Sequence, residues 1–314
     1  VLSSSRYTEY SRTILALTAL GYDPSNVGGY NLLAPLADFK AVTRQGVNGA
    51  AYALLALDSH GYEIPAVSDG KTQTTRENLV RFILDKQIAG GGWNFSGTAA
   101  DVDMTAMVLQ ALAPYYKTNT EVKTAVDMAL ALLSDRQDVN GGYASYGDAN
   151  SESNAQVLVA LTALGIDPEA DARFLKNGHS VVDALCAYYV GEGGFSHLAD
   201  GELNGLATPQ AYYALAAYAR FQNGQTSLYD MSDVTLKAGT VSDNGNGGTT
   251  TPGSGSNDGQ TAGADNGAGE SGKSDAKATD AVKTGDNAAY LAAGTGFVLA
   301  AAAFVALAKG RKKA

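Results

Sequence analysis

FILDKQIAGGGW, residues 82–93, ends an amphipathic helical stretch with a glycine run and the chain's one tryptophan. The residues leading into it, TTRENLVRFILDKQ (74–87), carry apolar side chains on one face and charges on the other, the pattern of a surface helix. Consecutive glycines stop such a helix and permit a left-handed turn, and the aromatic that follows is placed to pack back into the seam behind it. The same punctuation recurs as QDVNGGY (137–143) and YVGEGGF (189–195), with the aromatic in the matching place. Three unrelated glycine loops do not explain that register, whereas a structural repeat does.

Between these marks lie five apolar segments: ILALTAL (14–20), ALLALDS (53–59), VLQALAPY (108–115), VLVALTAL (157–164) and YYALAAY (212–218). They are spaced by about 40–55 residues, the length of a helical hairpin. Each has apolar residues at i, i+3, i+4 and i+7, and most are rich in alanine, which favours close helix packing. They read as inner helices. The more charged stretches, 74–87 and NTEVKTAVDMALALLSDRQ (119–137), read as an outer layer. No run alternates polar with β-branched or aromatic residues over a useful length, so the fold class is all-α, with about ten helices over residues 7–233.

The stretch 82–93 resembles the QW repeat of terpene cyclases through Phe82, Ile83, Gln87, Gly91 and Trp93. A second copy keeps Gln137 and Gly141, with Leu132 and Tyr143 as the flanking residues, and a third keeps Gly193 and Phe195 with Tyr189 in the glutamine's place. Squalene cyclases, protein prenyltransferase β-subunits, complement-type thioester domains and the α-domain of vitamin B12 carriers share this architecture. The resemblance implies an α/α toroid, in which inner helices ring a central cavity and outer helices sheath them. Closed members use up to twelve helices, so the count here points to a missing hairpin at the start, consistent with a chain that opens at Val1.

Composition narrows the chemistry. With 22 basic against 32 acidic side chains, the surface is acidic and a nucleic-acid partner is disfavoured. The lone Cys186 excludes an intramolecular disulfide, and its apolar surroundings, VVDALCAYYV, read as a buried position. His60, His179 and His197 are far apart with no ligand spacing, so neither a metal nor a cofactor is expected. The thioester Gly-Cys-Gly-Glu-Gln stretch and the zinc ligand spacing of prenyltransferases are both missing.

Parallel inner helices gather their N-terminal ends, with free N–H groups and dipoles, at one mouth of such a ring. Counting back from the aligned leucines 17, 57, 112, 161 and 215, one column holds Thr8, Asn48, Asp103, Glu152 and Leu206. The column one turn further in holds Arg12, Tyr52, Met107, Gln156 and Gln210, an amphipathic set. Arg12, Asn48, Tyr52, Asp103, Glu152, Gln156 and Gln210 from these columns, with Thr208 from the segment after GGF (193–195) that brings His197, Asp200, Thr208 and Gln210 near the same mouth, are the candidate ligand contacts. DVDMTA (101–106) also resembles the Asp-x-Asp-Asp-Thr-Ala motif of class II terpene cyclases, which implies Asp103 as proton donor with Asp101 beside it; Met104 stands where the motif has its last acid. The plainer alternative is that Asp101 and Asp103 cap a helix. Asp103 and Glu152 are also the one pair suited to a glycosidase-like reading.

After residue 236 the composition changes. Residues 237–282 are rich in Gly, Ser, Thr and Asp with no hydrophobic period, a spacer with a mean reach on the order of 35–40 Å. AVKTGD (281–286) precedes an uncharged apolar run over 289–308 and the basic tail KGRKKA, so residues 283–314 resemble a Gram-positive sorting signal in which Ala281 and Val282 replace its Leu-Pro pair. The run is long enough to span a bilayer, and the tail places the C-terminus inside. Residues 1–236 are then displayed on the outer face of the envelope, membrane-anchored or, if sortase acts, attached to the wall. The expected function is binding of a small amphipathic, prenyl-like or corrinoid ligand, or of an envelope partner. A squalene-type cyclase or mutase with Asp103 as general acid, and a structural or adhesive domain, are the alternatives.

Overall fold

The computed structural model describes residues 2–191 and 193–237. The spacer and the sorting-type segment with its apolar run lie outside the described residues. Among the described residues no helix is long and apolar enough to cross a membrane.

The chain is mostly helical, as the periodicity requires. In order come α1 (Thr8–Ala19), α2 (Phe39–Val42), α3 (Gly46–Asp58), α4 (Arg76–Leu84), α5 (Val102–Leu112), α6 (Thr120–Arg136), α7 (Ser151–Ala163), α8 (Val181–Cys186) and α9 (Ala207–Gln222). The five alanine-rich segments are α1, α3, α5, α7 and α9. They form a row in which each packs on the next, and their apolar residues make one continuous core. Helix α4 lies against α3 and α6, α6 against α5, and α8 against α7, which supplies a second layer.

That second layer is uneven. Only α4 and α6 are full helices; α2 has 4 residues between two 3-10 turns, and α8 has 6. The stretch before α2 explains its shortness, since Pro24, Gly28, Gly29 and Pro35 interrupt any helical run. Helix starts are specified locally: Thr75 and Asn78 form a capping box for α4, Ser180 and Asp183 one for α8, and Asn119 caps α6. The periodicity does not announce a short hairpin, β1 (Ala144–Ser145) with β2 (Asp148–Ala149); Tyr146 and Gly147 turn it, both with positive φ.

The three punctuation marks tie one repeat to the next. Trp93, Tyr143 and Phe195 are buried, and Trp93 Nε1 donates to Ile83 O at 2.8 Å. Gln87 Nε2 reaches Ala125 O of α6 at 2.8 Å, and Gln137 Nε2 donates to Gly141 O and Phe174 O, both at 2.9 Å. Gly91 (φ +103°) has to be glycine twice over, because a Cβ there would sit 2.7 Å from Met128 O of α6. Beyond α9 the chain returns to the start of the row. Met231 N donates to Ser59 O and Lys237 N to Gly21 O, both at 2.7 Å, so residues 228–237 strap α9 to the C-terminal ends of α1 and α3.

Candidate functional site

Asp101 and Asp103 are two residues apart, and the helix gives them different work. Asp101 is the N-cap of α5: its Oδ1 accepts from Met104 N at 2.8 Å and its Oδ2 accepts from Ser145 Oγ at 2.6 Å. Asp103 sits inside the first turn, makes no capping bond, and has Oδ1 buried with no hydrogen-bond partner. Burial, followed by the Asp101 carboxylate, pushes the Asp103 carboxyl up to about 7; Glu152 adds to the rise, while Ser153 and Ser145 oppose it. Ser153 Oγ, on α7, is also buried; it makes no hydrogen bond of ordinary geometry but faces the Asp103 carboxyl closely enough to favour its anion.

Glu152 starts the neighbouring helix. Its Oε2 lies 2.8 Å from His197 Nδ1 and accepts from Ser151 Oγ at 3.0 Å. Ser151 in turn donates from N to His197 O at 3.1 Å and from Oγ to Ser196 O at 2.8 Å, which docks the loop after Phe195 on the start of α7. The mouth therefore brings together Asp101, Asp103, Ser145, Glu152, Ser153 and His197. Sequence reasoning placed the helix-borne Asp101, Asp103 and Glu152 there, and the loop carrying His197 near the same mouth as a solvated connection. Ser145 arrives on the short hairpin and has no helical period to announce it; the His197 loop is docked by Glu152 and Ser151 rather than left as a solvated connection.

One turn deeper, Tyr52, Met107 and Gln156 line a cavity of about 10 Å³ together with Leu55, Gln110, Tyr213 and Tyr229. That is room for about one water molecule. The space between the inner helices is filled by polar side chains. Gln110 Nε2 donates to Gln156 Oε1 at 3.1 Å, Gln156 Nε2 donates to Gln210 Oε1 at 3.1 Å and to Tyr213 OH, and Tyr213 OH donates to Gln210 Oε1 at 3.4 Å. Arg12 lies beside Tyr52 and Tyr229, 9 % exposed, with Nε buried and unpartnered. Asn48 is buried, and its Oδ1 has no partner.

Thr208 stands apart from the other candidates. Its Oγ1 accepts from Phe195 N at 2.9 Å and donates to Phe195 O at 3.2 Å, which commits both roles of the hydroxyl to the aromatic punctuation. Thr105 does the same for Trp93, at 3.0 and 3.2 Å, and Asn154 Oδ1 accepts from Tyr143 N at 2.8 Å. Cys186 is exposed rather than buried. Helix α8 buries Val181, Ala184 and Leu185, the i, i+3, i+4 face, and position 186 falls on the other side.

Chemically, the mouth offers a carboxyl whose pKa burial and a neighbouring carboxylate push up to about 7, a capping aspartate, a Glu–His pair and the Ser153 hydroxyl. It can accept and donate hydrogen bonds to a polar group held between α5 and α7. Among the described residues no three of His, Cys, Asp and Glu are grouped to hold a metal ion. Compared with known proteins, the chain matches no protein-family model and no curated protein.

Proposed function

We propose that residues 1–236 form an α/α toroid of the terpene cyclase and prenyltransferase type, displayed on the outer face of a Gram-positive envelope, that binds the polar end of a small amphipathic ligand at its mouth. The recurring glycine–aromatic marks and the row of five inner helices support the toroid. The observation that carries the binding reading is Asp103: a mostly buried carboxyl whose Oδ1 has no partner, one turn above a filled centre. A buried polar atom left unpaired costs about 1–3 kcal/mol, which a ligand hydroxyl, amine or amide would offset on docking.

Two features favour binding over cyclisation. A carboxyl raised to about 7 is a weaker acid than an ordinary one, the opposite of what protonating an alkene demands. A cavity of about 10 Å³ has no space for a folded isoprenoid chain, so the apolar part of the ligand would lie outside the ring. The prenyl-like and corrinoid candidates are separated by calorimetry of the full chain in mild detergent against polyprenols and cobalamins, with mass spectrometry for product. Stoichiometric binding weakened at least tenfold by Asp103→Asn, with no product, is the expected result. Turnover abolished by the same substitution would establish the cyclase instead.

A further inference from the structure

The cavity at the centre of the row is walled by α3, α5, α7 and α9, through residues such as Tyr52, Met107, Gln156 and Tyr213, and by one residue that no helix carries, Tyr229 of the strap. Each inner helix packs on the next from α1 to α9, but α9 and α1 are not packed together as those pairs are. Residues 228–237 cross between the two ends of the row, and with Tyr229 they complete the wall.

The strap is lightly anchored. Leu228 and Met231 are buried, whereas Asp230, Ser232, Asp233, Thr235 and Lys237 are exposed. Its polar ties are Met231 N to Ser59 O and Lys237 N to Gly21 O, both at 2.7 Å, Val234 O to His60 Nε2 at 3.0 Å, and a partly exposed ion pair of Asp233 with Arg220 at 2.7 Å. A segment with few buried apolar side chains and solvent-facing backbone bonds opens at lower free energy than the helices beneath it. No hydrogen bond among the described residues holds the Tyr229 hydroxyl, so packing alone keeps its ring in place. The opposite wall is tied independently of it: Gln110 donates to Gln156 and Gln156 to Gln210, both at 3.1 Å, across α5, α7 and α9. Withdrawing Tyr229 would therefore leave a space with the outline of a phenol ring. Leu55 and Met107 give it apolar surface, Tyr52, Gln110 and Gln156 give it hydrogen-bonding groups, and among the described residues no charged side chain lines it.

We infer that the strap is a displaceable plug, whose release withdraws Tyr229 and opens a central site for a neutral, ring-sized molecule bearing a hydroxyl or carbonyl group. This entry is distinct from the mouth, because the strap is fixed at the C-terminal ends of α1 and α3 whereas Asp103 stands in the first turn of α5.

Amide hydrogen exchange of the full wild-type chain in mild detergent, resolved by NMR and corrected for intrinsic rates, tests the opening. The Met231 and Lys237 amides should exchange at least about a hundredfold faster than those of the buried Leu109 and Leu158, without dependence on low urea. Saturating phenol, which selects the open state, should quicken the strap amides further and leave the core ones unchanged. Strap amides that exchange no faster than the core, with the same urea dependence, overturn the plug without recourse to a variant. The vacated seat is tested in Tyr229→Ala, where phenol and cyclohexanol should raise the urea midpoint saturably and by more than in wild type, while benzoate and benzylammonium should not. A folded Tyr229→Ala chain that is indifferent to phenol, or that takes benzoate equally well, overturns the neutral site.

Discussion

Replacing Asp103 by asparagine should stabilise the domain, and the gain should grow with pH. The folded carboxyl titrates near 7, against 3.8 for the ordinary group. Between those values the folded state keeps a proton that the unfolded chain has already released, so stability falls as pH rises through the window and is level above it. Three units correspond to at most about 4 kcal/mol. Asparagine is close in shape and never ionises, so the variant and wild type should differ little near pH 4 and diverge to about 2–4 kcal/mol by pH 8. Other carboxyls tilt the background the opposite way. Burial acts upward on Asp38 and Asp127 but is outweighed by Lys71 and Lys123, and Arg173 lowers Asp171, so all three lose their contribution as pH falls below the ordinary carboxyl range. Those contributions cancel in the difference between the two proteins. Trp93, the one tryptophan and fully buried, reports the unfolding. Urea midpoints at pH 4, 5, 6, 7 and 8 suffice, and a difference that stays constant over that range would refute a raised Asp103.

Three further outcomes follow from the same contacts. Asp101→Asn keeps a good cap while removing the like charge, so the Asp103 carboxyl should titrate below its wild-type value in a carbon-detected NMR titration; an unmoved midpoint rejects the coupling. Gly91→Ala forces a Cβ to within 2.7 Å of Met128 O at a φ of +103°, and should cost about 2–4 kcal/mol in urea unfolding, with a loss under about 0.5 kcal/mol counting against it. Gln137→Ala strips two buried carbonyls, Gly141 O and Phe174 O, of a donor, and should cost about 1–3 kcal/mol, more than Gln87→Ala, whose glutamine bridges to one carbonyl from a partly exposed position.

The inner row was legible because its signal is redundant. Alanine-rich segments repeat five times with apolar residues at helical spacing, and the structure has α1, α3, α5, α7 and α9 at those places. The outer layer was legible only where a long amphipathic run exists, as in α4 and α6. Around α2 and α8 the layer is held by loop geometry, which leaves no period to read. At the mouth the helix-borne acids were visible as a column and the His197 loop as a neighbour, but Ser145 and the pairing of His197 with Glu152 come from a hairpin and a loop whose paths are fixed by tertiary contacts with α5 and α7. Thr208 lies between the Leu206 and Gln210 columns, on the side of α9 that holds Phe195, which counting along the helix does not distinguish from the side facing the centre.

That last distinction explains how one repeat carries both structure and variation. In α5, α7 and α9 the residues eleven positions before the aligned leucine are Asp101, Asn150 and Asn204, and each accepts from N–H groups of its helix start. Seven positions before it are Thr105, Asn154 and Thr208, each holding the backbone of a punctuation aromatic. These two positions are four apart and share a face that looks onto the glycine–aromatic loops. Asp103, Glu152 and Leu206 stand two residues along, about 200° round the helix, and share their face with Met107, Gln156 and Gln210. The first face is chemically uniform in α5, α7 and α9 because it has the same caps and loops to hold in each of these three repeats. The second meets the centre and holds an acid, an amide and aliphatic groups in different repeats. Substitutions on the first face should therefore register in stability alone, whereas those on the second at Asp103 and Glu152 should register in recognition, and at Asp103 in pH-dependent stability as well.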